Sequence, residues 1–280
     1  MNRRTRALNA CITVLLVLLA LLWILPLFFL ALHSLRAEPG AAVTSLFPKQ
    51  YTLDNYRRLF TGTDRYPFPR WYANTLLVSV VSCALSTLYV LMISYAFSRL
   101  RFPARSAMMK AGLVLNMFPG FMAMIAVYFI LKAIGLTQSS LALILVYSSA
   151  SALTYYVAKG FFDTIPPALD EAAHLDGASR AGIFWRITLP LSRPIIVYTI
   201  LTSFMAPWMD FIFASVIMKD NYEQYTVALG LFQMISRENI YDSFTMFCAG
   251  AVLVAVPIAL LFLFLQRYYV EGVTGGAVKG

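Results

Sequence analysis

Groups able to carry charge are sparse in this 280-residue chain, and one segment gathers several of them: Glu171-Ala172-Ala173-His174-Leu175-Asp176-Gly177, then nine residues, then Ile187-Thr188-Leu189-Pro190. The chemistry this pattern offers is recognition. Small side chains at Ala168, Ala172 and Ala173 let another backbone approach closely, while Asp170, Glu171 and Asp176 offer charge for pairing. Local rules build the stretch as two short helices at an angle. Thr164 is placed to cap a first helix whose opening turn carries Pro166 and Pro167. Gly177 permits the left-handed turn that ends it, and Ser179 is placed to cap a second helix over Arg180 to Ile187, which Pro190 and Pro194 should stop. Taken singly, Glu171 and Asp176 would only solvate a loop. Small side chains beside those charges are what a helix would need to seat in a partner's groove.

Other chemistry finds little support. There is no G-x-x-x-x-G-K-[ST] phosphate loop, and Gly275-Gly276-Ala277-Val278-Lys279-Gly280 lacks both its spacing and its following helix. No cofactor is therefore expected on this chain. His33 and His174 belong to no Ser-His-Asp or Cys-His set. Cys11, Cys83 and Cys248 lie in apolar stretches without metal spacing. Asp210, after Pro207-Trp208-Met209, and Asn116, before Pro119, are polar groups beside helix breakers inside apolar segments. They line a pathway or order its gate, or else Asp210 sits near the outer interface and stabilises packing. Trp208, Phe211, Phe213, Tyr155 and Tyr156 can stack on the rings of a ligand or serve as packing anchors.

The elements that must carry these residues are membrane helices. Hydrophobic residues make up 60% of the chain and charged residues 12%, with a mean hydropathy of +0.72, whereas a soluble domain is about one-quarter charged. The apolar runs are continuous and do not alternate, which excludes barrel strands. Six spans are expected: Ala10 to Leu32, Trp71 to Ser98, Ala107 to Leu131, Leu141 to Ala158, Ile195 to Ile217 and Phe244 to Tyr268, in a single domain over 1–280 with a polar loop at 163–193. The first is too long for a signal-peptide core, so it reads as a retained span entering from the cytoplasm.

The net charge of +9 falls in short clusters beside apolar segments, which indicates membrane topology and no nucleic-acid partner. Placing the short basic connection Arg99 to Arg105 inside, with both termini, puts thirteen of the 22 lysines and arginines on the cytoplasmic side. The external loop from Arg36 to Arg70 dilutes that asymmetry. Its breakers predict packing over the bundle without a separate domain. Within it, Asp54 to Phe60 reads equally as a short amphipathic helix or as a solvated connection with interfacial aromatics.

The E-A-A, G and I-x-L-P spacing resembles the cytoplasmic loop by which membrane subunits of ABC importers dock onto their ATPases. Tyr95-Ala96-Phe97-Ser98-Arg99, Met117-Phe118-Pro119 and the tail from Gly272 to Gly280 extend the likeness over nearly the whole chain, to permeases of carbohydrate ABC importers of the maltose and maltodextrin type, particularly the smaller of the two. The resemblance implies an all-α type I importer fold of the bacterial cytoplasmic (inner) membrane. It also implies a second, different permease, an ATPase dimer holding ATP and magnesium, an extracellular or periplasmic sugar-binding protein, surrounding lipid, and an oligosaccharide substrate, with maltodextrin leading and galacto-oligosaccharides open. By carry-over, Glu171 faces a basic ATPase residue and Ala172, Ala173, Asp176 and Gly177 complete the docking turn. Gly275, Gly276 and Lys279 reach between ATPase subunits, and the Gln233 to Tyr241 loop, with Arg237 and Asn239, meets the binding protein. An ion-coupled carrier would need intramembrane carboxylate relays or duplicated halves, and a membrane enzyme a polar catalytic cluster. Asp210 alone is thin support for either.

Overall fold

The computed structural model describes residues 3–38, 45–62 and 65–277. They form α1 (Arg3–Ser34), α2 (Asp54–Thr61), α3 (Phe68–Arg99), α4 (Arg105–Asn116), α5 (Gly120–Ala133), α6 (Ser140–Ser148), α7 (Ala152–Asp163), α8 (Pro167–Leu175), α9 (Arg180–Ile183), a π turn (Phe184–Thr188), α10 (Leu189–Leu191), α11 (Arg193–Met209), α12 (Ile212–Met218), a 3-10 turn (Tyr222–Gln224), α13 (Val227–Met234) and α14 (Ile240–Ala277). Leu8–Ser34, Phe68–Arg99 and Ile240–Gln266 are each long and apolar enough to cross a membrane. Three bent helix pairs bring the described residues to as many as six spans if each pair is one.

Two of these bends lie inside stretches that the hydrophobic pattern reads as continuous, and the third, between Arg180–Leu191 and α11, lies just ahead of the expected fifth span. Over Ala107 to Leu131 the chain forms α4 and α5, which meet at 105°. Pro119 has no N–H and disfavours helical backbone at Phe118. It adopts φ −55, ψ 129 and opens α5. Over Leu141 to Ala158, α6 and α7 bend by 41° at Ser149 to Ser151. There Ser151 leaves the helix and its hydroxyl accepts from the Thr154 N–H, the competition with helix that serine side chains offer. Over Ile195 to Ile217 the break falls at Asp210, which is extended (φ −84, ψ 111), while Pro207, the expected disturbance, lies within α11.

The structure divides into two compact units, one holding the chain up to Pro69 with Gly230–Val256, the other Arg70–Leu229 with the chain from Pro257. In the first, the described part of the connection between α1 and α3 is held by two buried polar residues. Arg36, 3% exposed, donates to the Ser45 carbonyl at 2.8 Å and the Leu46 carbonyl at 3.3 Å. Asn55 donates to the carbonyls of Ser34 and Arg36 and accepts from Thr245. Asp54 to Phe60 is helical, as α2, and buries Leu59 and Asn55. Beside it, the Glu38 carboxyl is held below its ordinary range by its own and the Lys49 backbone N–H groups and by nearby Arg36 and Lys49. A Cβ on Gly250 would come within 2.6 Å of Leu231 and 3.1 Å of Phe68, so close packing with α13 and α3 requires glycine there.

In the second unit, Val90, Leu91 and Tyr95 of α3, Ala158 and Phe162 of α7, Ile165, Phe184 and Ile195 make a buried cluster. Tyr95 meets Phe184 with ring centroids 4.9 Å apart. This cluster joins α3, α7, the π turn and the start of α11, and so fixes the base from which the 163–193 hairpin projects. Elsewhere in this unit, Trp71 donates to the Tyr222 carbonyl, and the Thr75 hydroxyl accepts from the Val227 N–H at 2.7 Å.

Candidate functional site

The hairpin forms largely as its local residues dictate. Pro166 precedes α8 and Pro167 occupies its first turn, where the missing N–H costs nothing because that donor has no helical partner. Thr164, expected to cap this helix, instead closes α7, its hydroxyl donating to the Phe161 carbonyl at 2.7 Å, because two prolines separate it from the first free N–H groups. At the other end Gly177 has φ +85. Its N–H bonds the His174 carbonyl at 3.1 Å and the Ala178 N–H bonds the Ala173 carbonyl at 2.9 Å. These paired bonds across a left-handed glycine satisfy the last carbonyls of α8 and turn the chain. The Ser179 hydroxyl then accepts from the Gly182 N–H at 3.1 Å, starting α9.

The second helix does not stop at Ile187. It continues through the π turn, where the Leu189 N–H reaches back to the Phe184 carbonyl, and over Pro190 to Leu191. In a straight α-helix the proline ring would strike the carbonyl four residues earlier. The widened turn accommodates it, and π insertions of this kind bend helices. The helical stretch Arg180–Leu191 then meets α11 at 83°. Pro194 lies in the first turn of α11 and so begins a helix where it was expected to end one.

Neighbouring carboxylates on α8 take different roles. Asp170 turns inward and pairs with Arg99 at 2.9 Å, the two side chains 18% and 11% exposed. Arg99 also donates to the Ile165 carbonyl at 2.7 Å. The root is further tied by Ser98 donating to Asp163 at 2.6 Å and by the Lys159–Asp163 ion pair. Glu171, Ala172, Asp176 and Gly177 are exposed, and Ala173 is buried. Neither Glu171 nor Asp176 has a hydrogen bond or ion pair among the described residues. Leu175, between them, is 90% exposed. Glu171, His174 and Arg180 border a cleft of about 360 Å³ whose wall continues to Tyr95, Arg99 and Arg101. The result is a braced helix that presents Leu175, with a free carboxylate on each side of it, a second exposed leucine at Leu169, and a small-residue surface. It can grip a partner groove, and it holds no set of groups for bond-making chemistry.

The remaining sequence-selected residues are dispersed. Both Asp210 oxygens are occupied, one by the Tyr147 hydroxyl at 2.8 Å and the other by the Phe213 N–H at 3.0 Å, a cap for α12. Asn116 is exposed at the end of α4, and no hydrogen bond joins it to Asp210. Trp208 is 3% exposed and packs edge-on against Tyr72. In the first unit Asn239 accepts from Arg65 at 2.7 Å and donates to the Gln233 carbonyl at 2.9 Å, bracing the α13–α14 turn, while Arg237 points outward, exposed. Gly275 and Gly276 lie in the helical backbone of α14, and Lys279 lies outside the described residues. No group of three His, Cys, Asp or Glu side chains suited to a metal occurs among the described residues. Sequence reasoning missed the Arg99–Asp170 and Tyr147–Asp210 contacts, since nothing local couples residues so far apart in the chain.

Comparison with known proteins adds to this geometry. The family model described as "Binding-protein-dependent transport system inner membrane component" matches residues 1–275. The galactooligosaccharides transport system permease protein GanQ of Bacillus subtilis (strain 168) is 37% identical, covering 95% of this chain and 94% of that protein. The maltodextrin transport system permease protein MdxG of the same organism is 35% identical over the full length of both. Among solved structures, a bacterial ABC transporter that imports the acidic polysaccharide alginate matches with a TM-score of 0.80 at 22% identity, over 96% of this chain and 99% of that one. That likeness carries the fold.

Proposed function

Because the chain belongs to the inner membrane components of binding-protein-dependent transport systems, a multi-pass permease and not itself an ATPase, we propose that it forms part of the path by which an oligosaccharide enters the cell. The substrate class is maltodextrin or galacto-oligosaccharide, supported by the names of relatives 35% and 37% identical over nearly the whole chain. A binding protein delivers the sugar, a second and different permease completes the path, and two ATPase subunits bind ATP and magnesium. Both termini lie in the cytoplasm.

The 163–193 hairpin is the point of coupling. The observation that carries this reading is the division of labour on α8: Asp170 is locked to α3 through Arg99, while Glu171 and Leu175 face outward without partners. An ATPase groove with a basic residue opposite Glu171 fits that surface. Closure of the ATPase dimer moves the hairpin, and the bend at Ser192 passes the motion to α11. The equilibrium between inward- and outward-facing states shifts only by the difference in contact free energy between them, and that difference enters at α8. Gln233 and Arg237 meet the binding protein, Gly275, Gly276 and Lys279 approach the ATPases, and Asn116 and Asp210 border the path.

Affinity purification from the native membrane in mild detergent, with mass spectrometry and an ATPase assay, tests the assignment. Recovery of an ATPase, a second permease and hydrolysis stimulated by oligosaccharide-loaded binding protein supports it. Recovery of the chain alone, without nucleotide activity, favours an ion-coupled carrier.

A further inference from the structure

A second cleft, of about 590 Å³, opens beside the basic turn after α3, where Arg101, Arg105, Lys110 and Lys159 converge on the first turn of α4. Two of these cations are engaged. Arg105 donates to the Leu100 carbonyl at 3.4 Å and the Ser98 carbonyl at 3.5 Å, and Lys159 pairs with Asp163. Arg101 and Lys110 are exposed and have no hydrogen bond or ion pair among the described residues. No side chain caps the start of α4 at Ala104, so first-turn N–H groups add positive potential to the cleft.

This basic cleft runs into an apolar groove of about 280 Å³, with which it shares Met109, Tyr156 and Lys159. The groove is walled by Ile93 and Phe97 of α3, Met108 and Gly112 of α4, and Tyr155 of α7. Its depth depends on small residues. The position of a Cβ on Gly112 would lie 3.3 Å from the Ala152 Cβ, so α4 and α7 approach closely behind it.

We propose that the cleft and groove together form a binding site for an anionic phospholipid, its phosphate held by Arg101 and Lys110 at the α4 N-terminus and an acyl chain laid along the groove. Both halves of the ligand are required by the observations. A free phosphate leaves the groove empty, and a zwitterionic lipid leaves the surplus cations unbalanced. Anionic headgroups draw basic residues at the membrane surface, and pockets between spans select them. The inference requires only that the chain lies in a membrane; Arg101 also borders the hairpin cleft, whereas Lys110 does not, so K110Q separates lipid binding from what the hairpin binds.

The test uses the purified complex in detergent. Dioleoyl phosphatidylglycerol and dioleoyl phosphatidylcholine are titrated separately, bound lipid is counted by native mass spectrometry, and inorganic phosphate is added as competitor. The expected result is saturable retention of phosphatidylglycerol in preference to phosphatidylcholine, reduced roughly thirtyfold by R101Q/K110Q and resistant to millimolar phosphate. Met108→Trp, which fills the groove from an exposed position, should weaken retention while leaving the cations in place. K110Q alone supplies the charge arm if the double variant does not assemble. Equal retention of the two lipids, or wild-type retention by the charge variant, would overturn the proposal. Displacement by inorganic phosphate would reduce the site to an anion pocket. Loss of the ATPase subunit from K110Q with lipid binding intact would assign the cleft to protein docking instead.

Discussion

Replacing Leu175 with alanine separates docking from folding, because this side chain contributes almost nothing to the isolated chain. It is 90% exposed, so truncation removes little packing and leaves the glycine turn of α8 intact. If the ATPase groove buries it, the variant forfeits the transfer free energy of three carbons, about 2 kcal/mol at about 0.8 kcal/mol per buried methylene. That corresponds to about thirtyfold in dissociation constant. The assay is a titration of fluorescently labelled ATPase subunit onto the two-permease complex in nanodiscs, read by anisotropy, with thermal melting of the same samples as control. The expected outcome is weaker binding by about that factor and an unchanged melting temperature. Binding within threefold of wild type would refute the placement of Leu175 in the interface. A lowered melting temperature would show that Leu175 packs within the permease.

Glu171→Lys places a cation where the proposed groove is basic, and should reduce both ATPase recovery and transport while membrane insertion stays normal; unchanged yield and rate would sink the role given to Glu171. Gly177→Ala meets no atom within 4 Å, yet it holds φ +85. The left-handed backbone should therefore cost roughly 1–2 kcal/mol, seen as faster proteolysis at the hairpin, and equal cleavage rates would contradict the strain argument. Asp210→Ala removes the α12 cap and the partner of Tyr147, with an expected loss of roughly 1–3 kcal/mol measured by thermal melting. Wild-type stability would refute the structural role, and wild-type transport by an assembled variant would remove Asp210 from the path.

How much was legible follows from the range of each interaction. Gly177 and Ser179 were readable because their partners lie within four residues, so chain-local rules suffice. Pro119 was visible as a breaker within an apolar run, but the 105° bend there was not. Hydropathy reports transfer into lipid and is indifferent to the direction in which a helix leaves a proline. Thr164 misled because the hydroxyl has two local choices, the helix behind it and the helix ahead, and the intervening prolines favour the one behind.

Composition and hydrophobic runs by themselves determined that this chain dissolves in a bilayer, and the glutamate-to-proline spacing determined where a polar hairpin leaves it. These are properties of contiguous residues, and water and lipid sort contiguous residues without reference to the rest of the fold. The tertiary structure alone decided that Asp170 faces Arg99 while Glu171 faces outward, that Tyr147 closes on Asp210, and that the Arg101–Lys110 cleft meets an apolar groove. Each depends on helices distant in sequence arriving at one place, and a charge or hydroxyl acquires its role from whichever group lies within about 3 Å of it.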